Sequence, residues 1–172
     1  MSPYRVIVRI LFGIGLMWLL IPSAQAQDFG PWRPLTTEEE QARIENVPVE
    51  DADPSMIEGD FDGDGIQDKA LIAIRKADGA RDLIALIKTN KVYPLMVGTV
   101  DSHDGLRLAE SGLWDTICGN AFREFHQKMC ANGYPRQINL KNPGILVVSD
   151  GQTSLFFWQP QKKRFDAYIL VD

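Results

Sequence analysis

The amino-acid sequence predicts an α+β chain that is mainly β: an antiparallel, sandwich-like domain with a short N-terminal helix and one disulfide loop. Three observations carry this expectation. Two apolar runs, Ala70-Leu71-Ile72-Ala73-Ile74 and Leu83-Ile84-Ala85-Leu86-Ile87, flank an Asp78-Gly79 pair, a dipeptide that favours a tight hairpin turn. The C-terminal third is a series of short β-branched and aromatic segments parted by Asn142-Pro143-Gly144, Asp150-Gly151 and a polar stretch at residues 159–164. Helix-start chemistry is concentrated near Thr36 and Thr37, each with a glutamate three residues on, Glu39 and Glu40, the arrangement of a capping box.

The chain has 172 residues and opens with the pattern of an export signal. Arg5 and Arg9 form a basic start and residues 10–21 a short apolar core, shorter than the ~20 residues that span a bilayer. Pro22 ends the core, and Ala24-Gln25-Ala26 is a small-x-small cleavage site. Cleavage after Ala26 is expected, which makes residues 1–26 a signal peptide and the mature chain periplasmic or secreted. The signal carries two of the 18 basic residues and none of the acidic ones, so 16 basic residues face 23 acidic ones after cleavage, a net charge of −7. An acidic surface disfavours nucleic acid and anionic membranes as partners. The densest basic run, Lys162-Lys163-Arg164, is read as a solvated hairpin turn.

Residues 27–54 are expected to form a lead-in and a helix over 38–46, with Ala42, Ile44 and Val47 facing inward, ended by Pro48 to Pro54. The β domain occupies residues 55–172. A strand over 56–61 enters an acidic loop, and 69–75 leaves it. These two apolar arms, 70–74 and 83–87, have no polar face, as strands covered on both sides do, so the helix or a second sheet must supply the cover. Residues 92–100 read as a strand displaced to an edge by Pro94. Asp101 to Gly105 is a turn, 106–109 a short strand, and residues 122–128 a helical turn. Strands over 137–140, 145–149, 154–158 and 165–171 complete the chain, the last alternating Phe165, Ala167 and Ile169 with Asp166, Tyr168 and Leu170, as a half-buried outer strand does.

Cys118 and Cys130 are the two cysteines. An even count in an exported chain predicts a disulfide. The redox or metal alternative lacks Cys-x-x-Cys spacing and a histidine at zinc spacing. The histidines, His103 and His126, stand in no recognisable catalytic context. Asp101, Asp104 and Asp115 have no spacing that pairs them with Glu110 as acid and base, and no glycine-rich phosphate loop is present.

The chemistry-bearing stretch is Asp60-Phe61-Asp62-Gly63-Asp64-Gly65-Ile66-Gln67-Asp68. Calcium takes six to eight oxygen ligands, and carboxylates at positions 1, 3 and 5, a glycine at 6, a backbone carbonyl at 7 and a further ligand at 9 wrap a loop around one centre. Here those ligands are Asp60, Asp62, Asp64, the carbonyl of Ile66, and Asp68, with Gly65 allowing the sharp turn. Position 12 is Leu71, not the bidentate glutamate of an EF-hand, and the following residues are strand-like. Loops of this kind between strands occur in FG-GAP and VCBS-type repeats, which the stretch resembles. With Cys118-Gly119, Cys130, Gly144-Ile145, Phe157-Trp158 and the closing strand, the chain resembles small exported proteins of Gram-negative bacteria with a single such loop, a group without an assigned activity. The expected cofactor is Ca2+, at the ~10⁻⁴–10⁻³ M affinity of extracellular modules; Mg2+ stays an alternative. Two functions fit: an exported calcium-binding β domain without catalysis, in a structural or interaction role, or an inhibitor or accessory protein whose disulfide loop enters an enzyme partner's cleft.

Overall fold

The computed structural model describes residues 27–45, 47, 52–88, 91–119, 130–131 and 133–170. The expected signal peptide, most of the linker at 48–54, the helical turn at 122–128 and His126 lie outside them. Among the described residues the chain is mostly β, in antiparallel sheets, with a short helix after the first strand and the disulfide.

The elements follow the order β1 (Trp32–Pro34), α1 (Thr37–Ile44), β2 (Met56–Gly59), β3 (Asp68–Arg75), β4 (Arg81–Ile87), β5 (Lys91–Val97), β6 (Gly105–Ala109), β7 (Gly112–Asp115), β8 (Gln137–Leu140), β9 (Gly144–Ser149), β10 (Gln152–Gln159) and β11 (Arg164–Ile169). The first sheet runs β1-β3-β4-β5, and β2 also pairs with β3. β1 and β2 lie end to end on one edge of β3: β2 pairs with Asp68 to Leu71, β1 with Ala73 to Arg75. The second sheet runs β11-β10-β9-β6, and β7 and β8 form a separate pair.

The apolar arms pack as their composition requires. One face of β3 and β4, with Ala70, Ile72, Leu83, Ala85 and Ile87, meets Leu106, Ile145, Val147 and Phe156 of the second sheet. The opposite face, Leu71, Ala73, Ile84 and Leu86, is packed by Phe29, Trp32 and Val92. The cover therefore comes from the second sheet and the lead-in, and α1 does not supply it. Pro94 sits on the edge strand β5 as expected. There the register with β4 shifts, so that Ile84 faces Pro94 while Leu83 faces Met96, a bulge of the kind that tolerates a residue without an N–H.

α1 departs from its expected face. Thr36 is the N-cap and Glu39 completes the capping box. The buried residue is Arg43, 2% exposed, while Ala42 is exposed. The Arg43 guanidinium donates to the carbonyls of Asp104 and Asp53 at 2.8 and 2.5 Å and pairs with Glu40 at 2.6 Å. Burying a charge is tolerated when it is paired and its donors are used, and here it ties the helix to the turn before β6.

The strand β7 was not expected from the sequence. With β8 it covers the outer face of the second sheet, where Ile138, Leu140, Leu146, Leu155 and Leu170 cluster with Trp114, Phe157 and Tyr168. The last strand, β11, is the edge of its sheet with every residue half-buried or exposed, the half-buried outer strand that its alternation implies. Cys118 and Cys130 form the expected disulfide, with Cα atoms 5.5 Å apart. Closing a loop of that length restricts the unfolded chain by about 3 kcal/mol in the chain-entropy description. Urea unfolding with and without reductant is expected to differ by that amount; equal midpoints would show the bridge to be energetically idle. Among the described residues no helix is long and apolar enough to cross a membrane.

Candidate metal centre

The acidic stretch is the hairpin loop joining β2 to β3. Pairing of Gly59 with Asp68 closes it, which is why its first and last carboxylates come together although eight residues apart. Gly63 and Gly65 take φ of +78° and +84°, a region that glycine enters without a Cβ penalty. Between the ligands, the Phe61 ring is fully buried in the core between the two sheets, so one aromatic side chain anchors the loop to the body of the domain.

Asp60, Asp62 and Asp68 present one carboxylate oxygen each, all within 4.8 Å of one another. Oxygens that share a calcium at 2.3–2.6 Å lie at most about 5 Å apart, so this cluster can hold a metal ion. The donor set is all oxygen, which suits a hard divalent cation. The carboxylates also organise the loop backbone. Asp60 Oδ1 accepts from the N–H of Gly63 at 2.8 Å and Asp64 at 3.0 Å, and Asp60 Oδ2 from Gly65 at 2.9 Å. Asp62 Oδ1 accepts from Asp64 N–H at 3.2 Å. Asp68, 1% exposed, accepts from Phe61 N–H at 3.0 Å and Lys88 N–H at 2.9 Å.

Asp64 is the expected ligand that this cluster does not include. Its Oδ2 lies 3.0 Å from the ammonium of Lys88, which is also 3.7 Å from Asp62 Oδ2. That hydrogen bond holds the Asp64 carboxyl below the usual carboxylate range and raises Lys88. Burial pushes Asp68 the other way, above the usual range, with the Asp62 charge adding to it against the donors that lower it. Ile66 sits at the crest of the loop with its side chain half exposed, and its N–H donates to Asp64 Oδ1 at 2.9 Å.

Lys88 is the residue that motif reading missed. The signal was in the hairpin register: the turn at Asp78-Gly79 pairs Lys69 with Leu86, and this carries the end of β4 back beside the loop. Other residues weighed from the sequence are placed elsewhere. His103 is exposed, and Asp104 is buried with its carboxylate accepting from Asp101 N–H at 2.9 Å. Trp114 donates its indole N–H to the Glu110 carbonyl at 2.9 Å.

No protein-family model, no curated protein and no solved structure matches this chain.

Proposed function

We propose that this is an exported β domain that binds calcium through the loop between β2 and β3, without catalysis, in a structural or interaction role. The observation that carries the reading is the convergence of the Asp60, Asp62 and Asp68 oxygens within 4.8 Å. Asp60, Asp62 and Asp68 would hold the ion, with the Ile66 carbonyl as a further ligand and Asp64 joining them once released from Lys88. The likeness of the stretch to FG-GAP and VCBS loops supports calcium over magnesium. Burial disfavours the charge of Asp68, and a divalent cation of either kind would supply the compensating one. The disulfide suits an oxidising compartment beyond the cytosol.

A cation that binds only the folded chain stabilises it by mass action, by about 2.7 kcal/mol at a hundredfold excess over its dissociation constant. For a chain of this size that is a rise in melting temperature of about 6–10 °C. Thermal melting in chelator, then in excess calcium or magnesium, is expected to show that rise with calcium and a smaller one with magnesium. Identical melting in all three would remove the metal from the account.

A further inference from the structure

Beside the loop, at the same end of the sandwich, lies a cleft of about 330 Å³. We propose that it binds a neutral saccharide, and this proposal does not depend on the bound ion. Four side-chain amides line the cleft, Asn139, Asn142, Gln159 and Gln161. An amide offers both donors and acceptors, as sugar hydroxyls do. Among the described residues these four amides have no side-chain hydrogen-bond partner, and neither does the Trp158 indole N–H, in contrast to Trp32 and Trp114, whose N–H groups are both used.

The apolar part of the lining is Phe61, Leu140, Phe157, Trp158 and Pro160. Phe157 and Trp158 reach it from opposite faces of β10, Phe157 stacked on Tyr168. Trp158 is wedged edge-on against Tyr93 and Phe165, with centroids 5.2 and 5.3 Å away, so the indole is held before any ligand arrives. An apolar lining with a few orienting polar groups is the usual make-up of a small-ligand site. Among the described residues of the lining Lys141 is the one that is charged, and none is a carboxylate, histidine, cysteine or hydroxyl side chain. That composition fits an uncharged, hydroxyl-rich ligand and supplies no group to turn it over. The walls are the ends of β8 and β10 and the turns that follow them. Asn142 also packs against the acidic loop: a Cβ at Gly63 would lie 2.4 Å from its Nδ2, so the loop backs this wall.

The test is titration of the purified chain with maltose, cellobiose and diacetylchitobiose at millimolar concentration, followed by tryptophan fluorescence and calorimetry, in calcium and in chelator. At least one disaccharide is expected to bind saturably. Gln161→Ala and Asn142→Ala are each expected to weaken binding about tenfold, the effect of losing one well-placed hydrogen bond. Gln161 is exposed, so its variant keeps the test interpretable even where Trp158→Ala loosens the fold. Saturable binding in chelator with the same dependence on Gln161 supports the cleft as fully as binding in calcium, whatever the outcome of the melting experiment. No saturable response to any of the three sugars, or binding indifferent to both substitutions, overturns the proposal.

Discussion

Arg75→Ala is expected to destabilise the fold by about 3 kcal/mol, the lower end of the cost of breaking a buried ion pair. The reason is Asp82, a carboxylate with no exposed surface. Four donors converge on it: Arg75 Nε at 2.9 Å and Nη2 at 2.7 Å, the Trp32 indole at 2.6 Å and Gly98 N–H at 2.7 Å. One side chain therefore ties β1, β3, β4 and the residue after β5 together. Arg75 keeps 26% of its side chain exposed, so its own desolvation is modest, but removing it leaves Asp82 buried without a counter-charge. The pair Arg75→Met with Asp82→Leu is expected to recover most of the loss, because the cost lies in the orphaned charge and not in the absence of the pair. Urea denaturation of the three proteins measures this. A loss below about 0.5 kcal/mol, as for an ordinary surface change, would mean that the cluster is not a structural hub.

The same cluster sets an acid limit. Hydrogen bonds from Arg75, chiefly, and from Trp32 and Gly98 hold the Asp82 carboxyl down at about 2, against burial that would raise it. A depressed carboxyl stabilises the fold fully above its unfolded value of ~4, and this contribution is lost as pH falls towards the folded value. Glu39, held at about 2 mainly by Arg33, acts in the same direction at the surface. Unfolding midpoints are therefore expected to fall between pH 4 and pH 2, and to fall less in the Arg75→Met, Asp82→Leu protein.

The second large effect lies at the loop. Asp68→Ala is expected to cost about 2–4 kcal/mol even in chelator, because it leaves the N–H groups of Phe61 and Lys88 without their acceptor, at ~1–3 kcal/mol for each buried donor. Lys88 has φ of +56°, a conformation uncommon for a residue with a side chain, and the Asp68 carboxylate helps hold it there. Asp68→Asn keeps one oxygen acceptor and is expected to lose less stability in chelator while losing most of the gain from calcium. That contrast separates the residue's two roles, since a purely structural Asp68 would leave the gain from calcium intact in Asp68→Asn. Asp60→Ala is expected to do the reverse. Its hydrogen bonds serve exposed loop N–H groups, so it costs little in chelator and removes the response to calcium.

Local chemistry carried much of this into the sequence. The ligand spacing of residues 60–68 is a contiguous pattern, and the loop stands where it was expected, closed by its own strands. The apolar arms around Asp78-Gly79 form the predicted hairpin, and the capping box at Thr36 and Glu39 starts the helix. What escaped was non-local. The burial of Arg43 leaves no local trace because the two carbonyls it binds belong to residues 10 and 61 positions away in the chain. Nothing near Asp82 in sequence announces Trp32, 50 residues earlier. β7 was missed because its most apolar residue, Leu113, is 64% exposed, so no alternation marks an inner face. Asp64 was expected among the ligands by spacing alone, and Lys88 draws it aside from across the hairpin.

The central claim is that the β2–β3 loop takes up a divalent ion, and calcium titration followed by isothermal calorimetry tests it most directly. A single saturable calcium site per chain is expected, lost in the Asp60→Ala, Asp62→Ala protein while its circular dichroism stays that of the parent. Absence of calcium uptake at millimolar concentration, or uptake that survives the double substitution, would contradict it.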